Sequence, residues 1–99
     1  MAILRTTVVR APLENYETKG ELLTVFNGMC INSSIILDEA LQSGDLLSHN
    51  GVVTTDETDY IITITKEWKD EDAFNAYNTN PTMLAERATT DSLFDISRS

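Results

Sequence analysis

Cysteine, histidine and positive charge are all scarce in this sequence of 99 residues, with one Cys, one His, and seven Lys and Arg against sixteen Asp and Glu, for a net charge of −9. A lone cysteine, Cys30, cannot close an internal disulfide, which fits a reducing compartment. No His/Cys/carboxylate spacing supplies a metal-ligand set, so no metal is expected. Seven cations scattered along the chain form no basic stripe to displace counterions from phosphates, so neither nucleic acid nor an anionic membrane surface is expected as a partner. Two prolines and four glycines exclude a collagenous or low-complexity chain. No apolar run approaches the roughly 20 residues that span a bilayer. The opening "MAILRTTVVR" lacks the form of a secretory leader, and a cytoplasmic location is expected. On the same ground the sequon at Asn32–Ser34 is read as chance.

A hydrophobic content of 41% is enough for a core without staples, and the length suits one domain over residues 1–99. The excess acidity reads as a solvated, self-repelling surface. "AILRTTVVR" (Ala2 to Arg10) is rich in β-branched residues and predicts a strand. Thr18, with Glu21 three residues on, has capping-box spacing. The helix it opens, Thr18 to Ser43, carries an apolar stripe of Leu22, Leu23, Phe26, Met29, Cys30, Ser33, Ile36, Leu37, Ala40 and Leu41, and Gly44 stops it. At about 37 Å it outruns a strand, so a bend is expected, with "NSS" at Asn32–Ser34 as its weak point.

"LLSHNGVVTT" (Leu46 to Thr55) and "DYIITITKEW" (Asp59 to Trp68), separated by "DET", predict an antiparallel hairpin. In the second run Tyr60, Ile62, Ile64 and Trp68 share one face, interrupted only by Lys66; Ile61, Thr63, Thr65 and Glu67 share the other. Asp70 caps the next helix, whose expected stripe is Ala73, Phe74, Tyr77, Leu84, Ala85 and Ala88, with a break at "NTNP" where Asn80 caps a restart and Pro81 takes its first turn. "SLFDISRS" ends the chain with Phe94 and Ile96 on one face. Strand, helix, strand, strand, helix, strand is the α+β, ferredoxin-like βαββαβ arrangement: a four-stranded antiparallel sheet with two helices on one face. The uncovered face, expected to carry Ile3 or Leu4, Ile61, Thr63 and Thr65, would be covered most simply by a second copy, giving a homodimer through the sheet face.

The segment "EWKDEDAFNAYNTNPTMLAERA" (Glu67 to Ala88) resembles the signature of the antibiotic-biosynthesis monooxygenase family and its dimeric α/β-barrel relatives. There a strand ends in an acidic residue and Trp before an acidic helix start, Ala-Phe, and an aromatic or His three residues on. The resemblance implies a barrel of two paired sheets around a cavity, and a small-molecule-binding protein or cofactor-independent oxygenase acting on a neutral or cationic, partly aromatic compound. No cofactor is implied. The polar residues that position a phenolic or anthrone substrate in active members align with Ile64 and Phe74, and the haem-ligating His of other relatives has no counterpart in "NPTMLAERA", which offers Arg87. Trp68 either anchors the core or stacks on a ligand in the lumen.

The polar sheet face, with Arg5 or Thr7, Thr63, Thr65 and Glu67, and with Tyr77 and Arg87 at the rim, is the expected ligand site. Glu67 is its candidate base, unless it forms an ion pair with Arg5, and His49 is a further candidate acid, base or ligand. The alternative is a non-enzymatic structural or interaction protein whose barrel is filled by side chains.

Overall fold

From the N-terminus the chain forms β1 (Ile3–Pro12), a single 3-10 turn at Leu13–Asn15, α1 (Lys19–Met29), α2 (Ile31–Ser43), β2 (Leu46–Thr55), β3 (Asp59–Trp68), α3 (Glu71–Asn78), α4 (Pro81–Leu93) and β4 (Asp95–Arg98). The structure, a computed structural model, describes residues 1–99. The four strands make one antiparallel sheet in the order β2-β3-β1-β4, the ferredoxin-like order, with the helices against one face. No single helix is long and apolar enough to cross a membrane.

Local chemistry explains most element boundaries. In the hairpin turn, Asp56 Oδ1 accepts from the N–H groups of Thr58 (2.9 Å) and Asp59 (2.8 Å). Arg10 on β1 bridges Asp56 and Asp59 at 3.0 and 3.2 Å, tying the turn to the neighbouring strand. The two backbone hydrogen bonds, with Arg10, hold the Asp56 carboxyl well below the usual carboxylate range. Thr18 caps α1 by accepting from Glu21 N–H at 3.1 Å, while the Glu21 carboxylate reaches one residue beyond the box to accept from Glu17 N–H. Asp70 caps α3 through Ala73 N–H, and Asn80 caps α4 through Thr82 and Met83 with Pro81 behind it, as their spacing predicts.

The bend expected in the helix from Thr18 to Ser43 is present as a 79° break into two helices, but it falls at Cys30 rather than at Asn32–Ser34. No local side chain caps α2. A carboxylate 54 residues away does so: Glu86 of α4 accepts from Asn32 N–H at 3.1 Å and from Ser33 N–H at 2.6 Å, and takes the Ser33 hydroxyl as well.

A second correction concerns α4. Leu84, Ala85 and Ala88, expected on its inward face, are exposed; Met83 and Thr90 are buried, with Glu86 and Arg87 half-buried between them. The spacing of 83, 86, 87 and 90 is that of one helical face, so α4 turns a largely polar side toward the sheet. Leu41, at the far end of the α2 stripe, is also exposed.

Buried apolar side chains fall into two clusters. One joins Val9, Ala11, Tyr60 and Ile62 of the sheet to Leu22 and Phe26 of α1 and to Phe94. The other joins Leu46 and Trp68 to Leu37, Tyr77 and Met83. Trp68 is 1% exposed and its ring centroid lies 4.7 Å from that of Tyr77, so it anchors the second cluster.

Candidate functional site

Strand register explains why the core is divided. Directly paired residues share a face, so the helix-covered side of the sheet can be followed row by row. Leu46, Trp68 and Ile3 form an apolar row. The next row is basic across three strands: His49, Lys66 and Arg5. Gly51, Ile64, Thr7 and Arg98 follow, and then Val53, Ile62, Val9 and Ile96 restore an apolar row. The helices place polar groups over the two middle rows, namely Cys30, Ser33 and Ser34 from the α1–α2 hinge region and Glu86, Arg87 and Thr90 from α4.

Between these layers lies a chamber of about 370 Å³, within the size range of small-molecule sites. Phe26, Leu37, Ile62, Ile64 and Met83 give it apolar walls. Gly51 on the edge strand adds no side chain to it, and a Cβ there would meet nothing within 4 Å. A side chamber of about 150 Å³ lies against it, bounded by Arg5, Trp68, Phe74 and Asn78. Thr7, Lys66, Tyr77, Arg87 and Arg98 line both.

The protonation states within the chamber differ from those of the same groups in water. Burial, reinforced by the positive charges of Arg87 and Arg98, pulls the Lys66 ammonium from 10.5 down to about 8. Burial pushes the Tyr77 hydroxyl up to about 12, so it remains a hydrogen-bond donor at neutral pH. His49 stands at the solvent-accessible mouth on β2; partial burial and Lys66 beside it lower its imidazole, leaving the ring neutral and able to accept a proton. Burial opposes ionisation of Glu86, yet hydrogen bonds from Ser33 and Asn32 outweigh it and keep the carboxyl below its usual value.

Of the residues expected to form a site, the structure brings His49, Tyr77 and Arg87 together in the main chamber. Trp68 forms part of the wall of the side chamber. Thr63, Thr65 and Glu67 line neither chamber, because they alternate onto the open face of β3. The proposed partner of Glu67 is also displaced: Arg5 pairs in register with Lys66 and turns to the helix side, while Leu4 stands opposite Glu67. Arg5 places its guanidinium carbon 4.5 Å from the centroid of Phe74. Sequence alone assigns no site role to Lys66, Arg98, Ser33 or Glu86. The available signal was Lys66, a charge set within the apolar face of a central strand.

No protein-family model matches the chain, and no curated protein matches it significantly. Solved structures do. The cofactor-independent oxygenase SnoaB from Streptomyces nogalater is 15% identical with a TM-score of 0.60, over 97% of this chain and 88% of that one. A putative antibiotic biosynthesis monooxygenase from Deinococcus radiodurans is 14% identical with a TM-score of 0.60, over 100% and 90%. The de novo designed protein Foldit4 is 9% identical with a TM-score of 0.59, over 100% and 94%, so this degree of likeness carries architecture and not chemistry. In architecture, the chain is similar to SnoaB and to the Deinococcus radiodurans protein, and its sheet order is ferredoxin-like.

Proposed function

We propose that this protein binds a small, partly aromatic compound in the chamber between its sheet and helices and acts on it as a cofactor-independent oxygenase. The observation that carries this reading is the chamber itself: about 370 Å³ of space dividing the core, walled by apolar side chains and furnished with a proton acceptor, a proton donor and cations.

The residues divide the chemistry among them. His49, neutral at physiological pH, takes a proton from the substrate, and the electron pair stays on the substrate as an oxyanion or its conjugated carbanion. Lys66, Arg87 and the Tyr77 hydroxyl stabilise that charge in a region of reduced dielectric. The anion is the species able to give electrons to dioxygen. For an anthrone-type methylene the balance is one CH2 group and one O2 yielding one carbonyl and one water. Glu67, Thr63 and Thr65 have a different place in this proposal: with Leu4 and Val52 they belong to the open sheet face, through which two copies pair, so Glu67 lies at the dimer interface and not at the reacting group.

Oxygen uptake with a panel of quinols, anthrones and related phenols tests the proposal. The unmodified protein consumes oxygen with at least one of them, and His49→Gln loses that activity while keeping its unfolding midpoint. The absence of both binding and oxygen uptake with the unmodified protein would contradict the proposal.

A further inference from the structure

An acidic protein has gathered most of its positive charge around the chambers, with Lys66 and Arg87 half-buried and Arg5 and Arg98 exposed at the rim. Four of its seven cationic side chains, Arg5, Lys66, Arg87 and Arg98, line the two chambers, in a chain whose net charge is −9. Chance placement on a solvated surface does not put a lysine in the middle of a central strand, facing helices, with an arginine paired beside it. Like charges directly opposite each other across strands oppose folding, and the charges of Arg87 and Arg98 add to the burial that weighs on Lys66.

Three of these four cations also lack an ionic side-chain partner. The ion pairs of the structure engage Arg10, Lys69 and Arg98, the last held by Asp91 at 2.8 Å. Arg5, Lys66 and Arg87 meet neutral groups instead. Arg5 lies over Phe74, Lys66 sits 5.4 Å from the centroid of the Tyr77 ring, and Arg87 donates to the side-chain carbonyl of Asn78 at 2.9 Å. Such contacts orient a cation without neutralising it. Glu86, the one acidic side chain lining either chamber, is committed to the backbone and hydroxyl of Ser33 and the backbone of Asn32 at the start of α2. The side chamber is therefore lined by Arg5, Lys66 and Arg87 without ionic side-chain partners, by Arg98 paired to Asp91, and by Ser99 just after β4, with no acidic side chain.

We infer that the chambers together form a receptor for an organic carboxylate, its apolar planar body lying in the main chamber among Phe26, Leu37, Ile62, Ile64 and Met83, and its carboxylate held in the side chamber by Lys66, Arg87 and Arg5. This rests on the chamber being the ligand site, and it replaces the neutral or cationic compound expected from sequence with one of opposite charge. The guanidinium fork suits a planar, bidentate oxyanion, and the ammonium adds a point charge beside it. The negative net charge repels anions at a distance, so selection comes from the local cations of the site rather than from steering.

Titration calorimetry with 2-naphthoate, its uncharged analogue 2-naphthamide and inorganic phosphate tests the inference. The full chain binds 2-naphthoate at least tenfold more tightly than 2-naphthamide, and inorganic phosphate more weakly than either. Lys66→Met and, independently, Arg87→Gln bring 2-naphthoate to within about twofold of the amide, whereas Arg10→Gln, on the open face, leaves the difference intact; thermal melts confirm that each variant is folded. Equal affinity for naphthoate and naphthamide overturns the charge inference while leaving the chamber as a ligand site. Tighter binding of phosphate than of naphthoate also overturns it, because the apolar body would then contribute nothing. Failure of both naphthyl compounds to bind overturns the chamber reading together with the inference.

Discussion

Replacing Lys66 with Met should make the protein more stable. The methionine side chain has similar girth and flexibility and fills the same space between Tyr77 and the sheet, but it carries no charge to desolvate. Folding moves the Lys66 ammonium from its ordinary 10.5 to about 8, which at about 1.4 kcal/mol per tenfold change in proton affinity is a destabilisation of roughly 3 kcal/mol. The sign follows from proton counts. Below pH 8 both folded and unfolded chains hold the proton, so the whole penalty is present. Between pH 8 and 10.5 the unfolded chain binds more protons than the folded one, so stability rises with pH and the penalty disappears. Tyr77, raised to about 12, adds an opposite trend above pH 10, but it is shared by both proteins and cancels in their difference. Urea denaturation at several pH values from 7 to 10.5, in chloride buffers free of carboxylate and phosphate, measures that difference directly. Lys66→Met should exceed the parent by about 3 kcal/mol at pH 7, and the gap should close toward pH 10.5. A variant that is less stable at pH 7, or a gap that does not change with pH, would refute the argument that Lys66 is an uncompensated, desolvated charge.

The remaining predictions concern the framework of the site. Trp68→Ala should cost about 3 to 5 kcal/mol by urea denaturation, since its ring is enclosed by Leu37, Leu46, Tyr77 and Met83; a loss under about 1 kcal/mol would remove it from the core. Glu86→Ala should cost about 2 kcal/mol and speed amide hydrogen exchange at Asn32 and Ser33 while leaving Leu22 unaffected, because it uncaps α2 from outside the helix; unchanged exchange at those two amides would show that the hinge does not depend on it. Light scattering after size exclusion should give twice the chain mass of 11.0 kDa, and a monomer at micromolar concentration would remove the sheet-to-sheet dimer.

Elements governed by local chemistry were legible in the sequence. The hairpin of β2 and β3, the caps at Thr18, Asp70 and Asn80, and the order of strands and helices all depend on residues within a few positions of one another. The hinge at Cys30 was not, because the group that caps α2 is 54 residues distant in sequence. The inward face of α4 was misread for a related reason. Choosing its most apolar stripe selected Leu84, Ala85 and Ala88, whereas the helix turns Met83, Glu86, Arg87 and Thr90 toward the sheet, and a wall of a polar chamber does not obey the rule that the inward face is apolar. Lys66 carried the clearest signal of that chamber, yet its meaning depended on the partners that register brings to it, Arg5 and His49. The fold resemblance pointed to a cavity, while the alternation of β3 allowed either face to line it; the structure places space on the helix side, away from Thr63, Thr65 and Glu67.

Chemical-shift mapping by NMR with 2-naphthoate distinguishes those two faces in a single titration. Perturbations should concentrate at Lys66, Tyr77, Arg87 and Ile64, on the helix side of β3 and on the helices above it, and leave Thr63, Thr65 and Glu67 with the smaller shifts of sequence neighbours. Shifts centred on Thr63, Thr65 and Glu67, with Tyr77 and Arg87 unmoved, would put the ligand on the open sheet face and contradict the account.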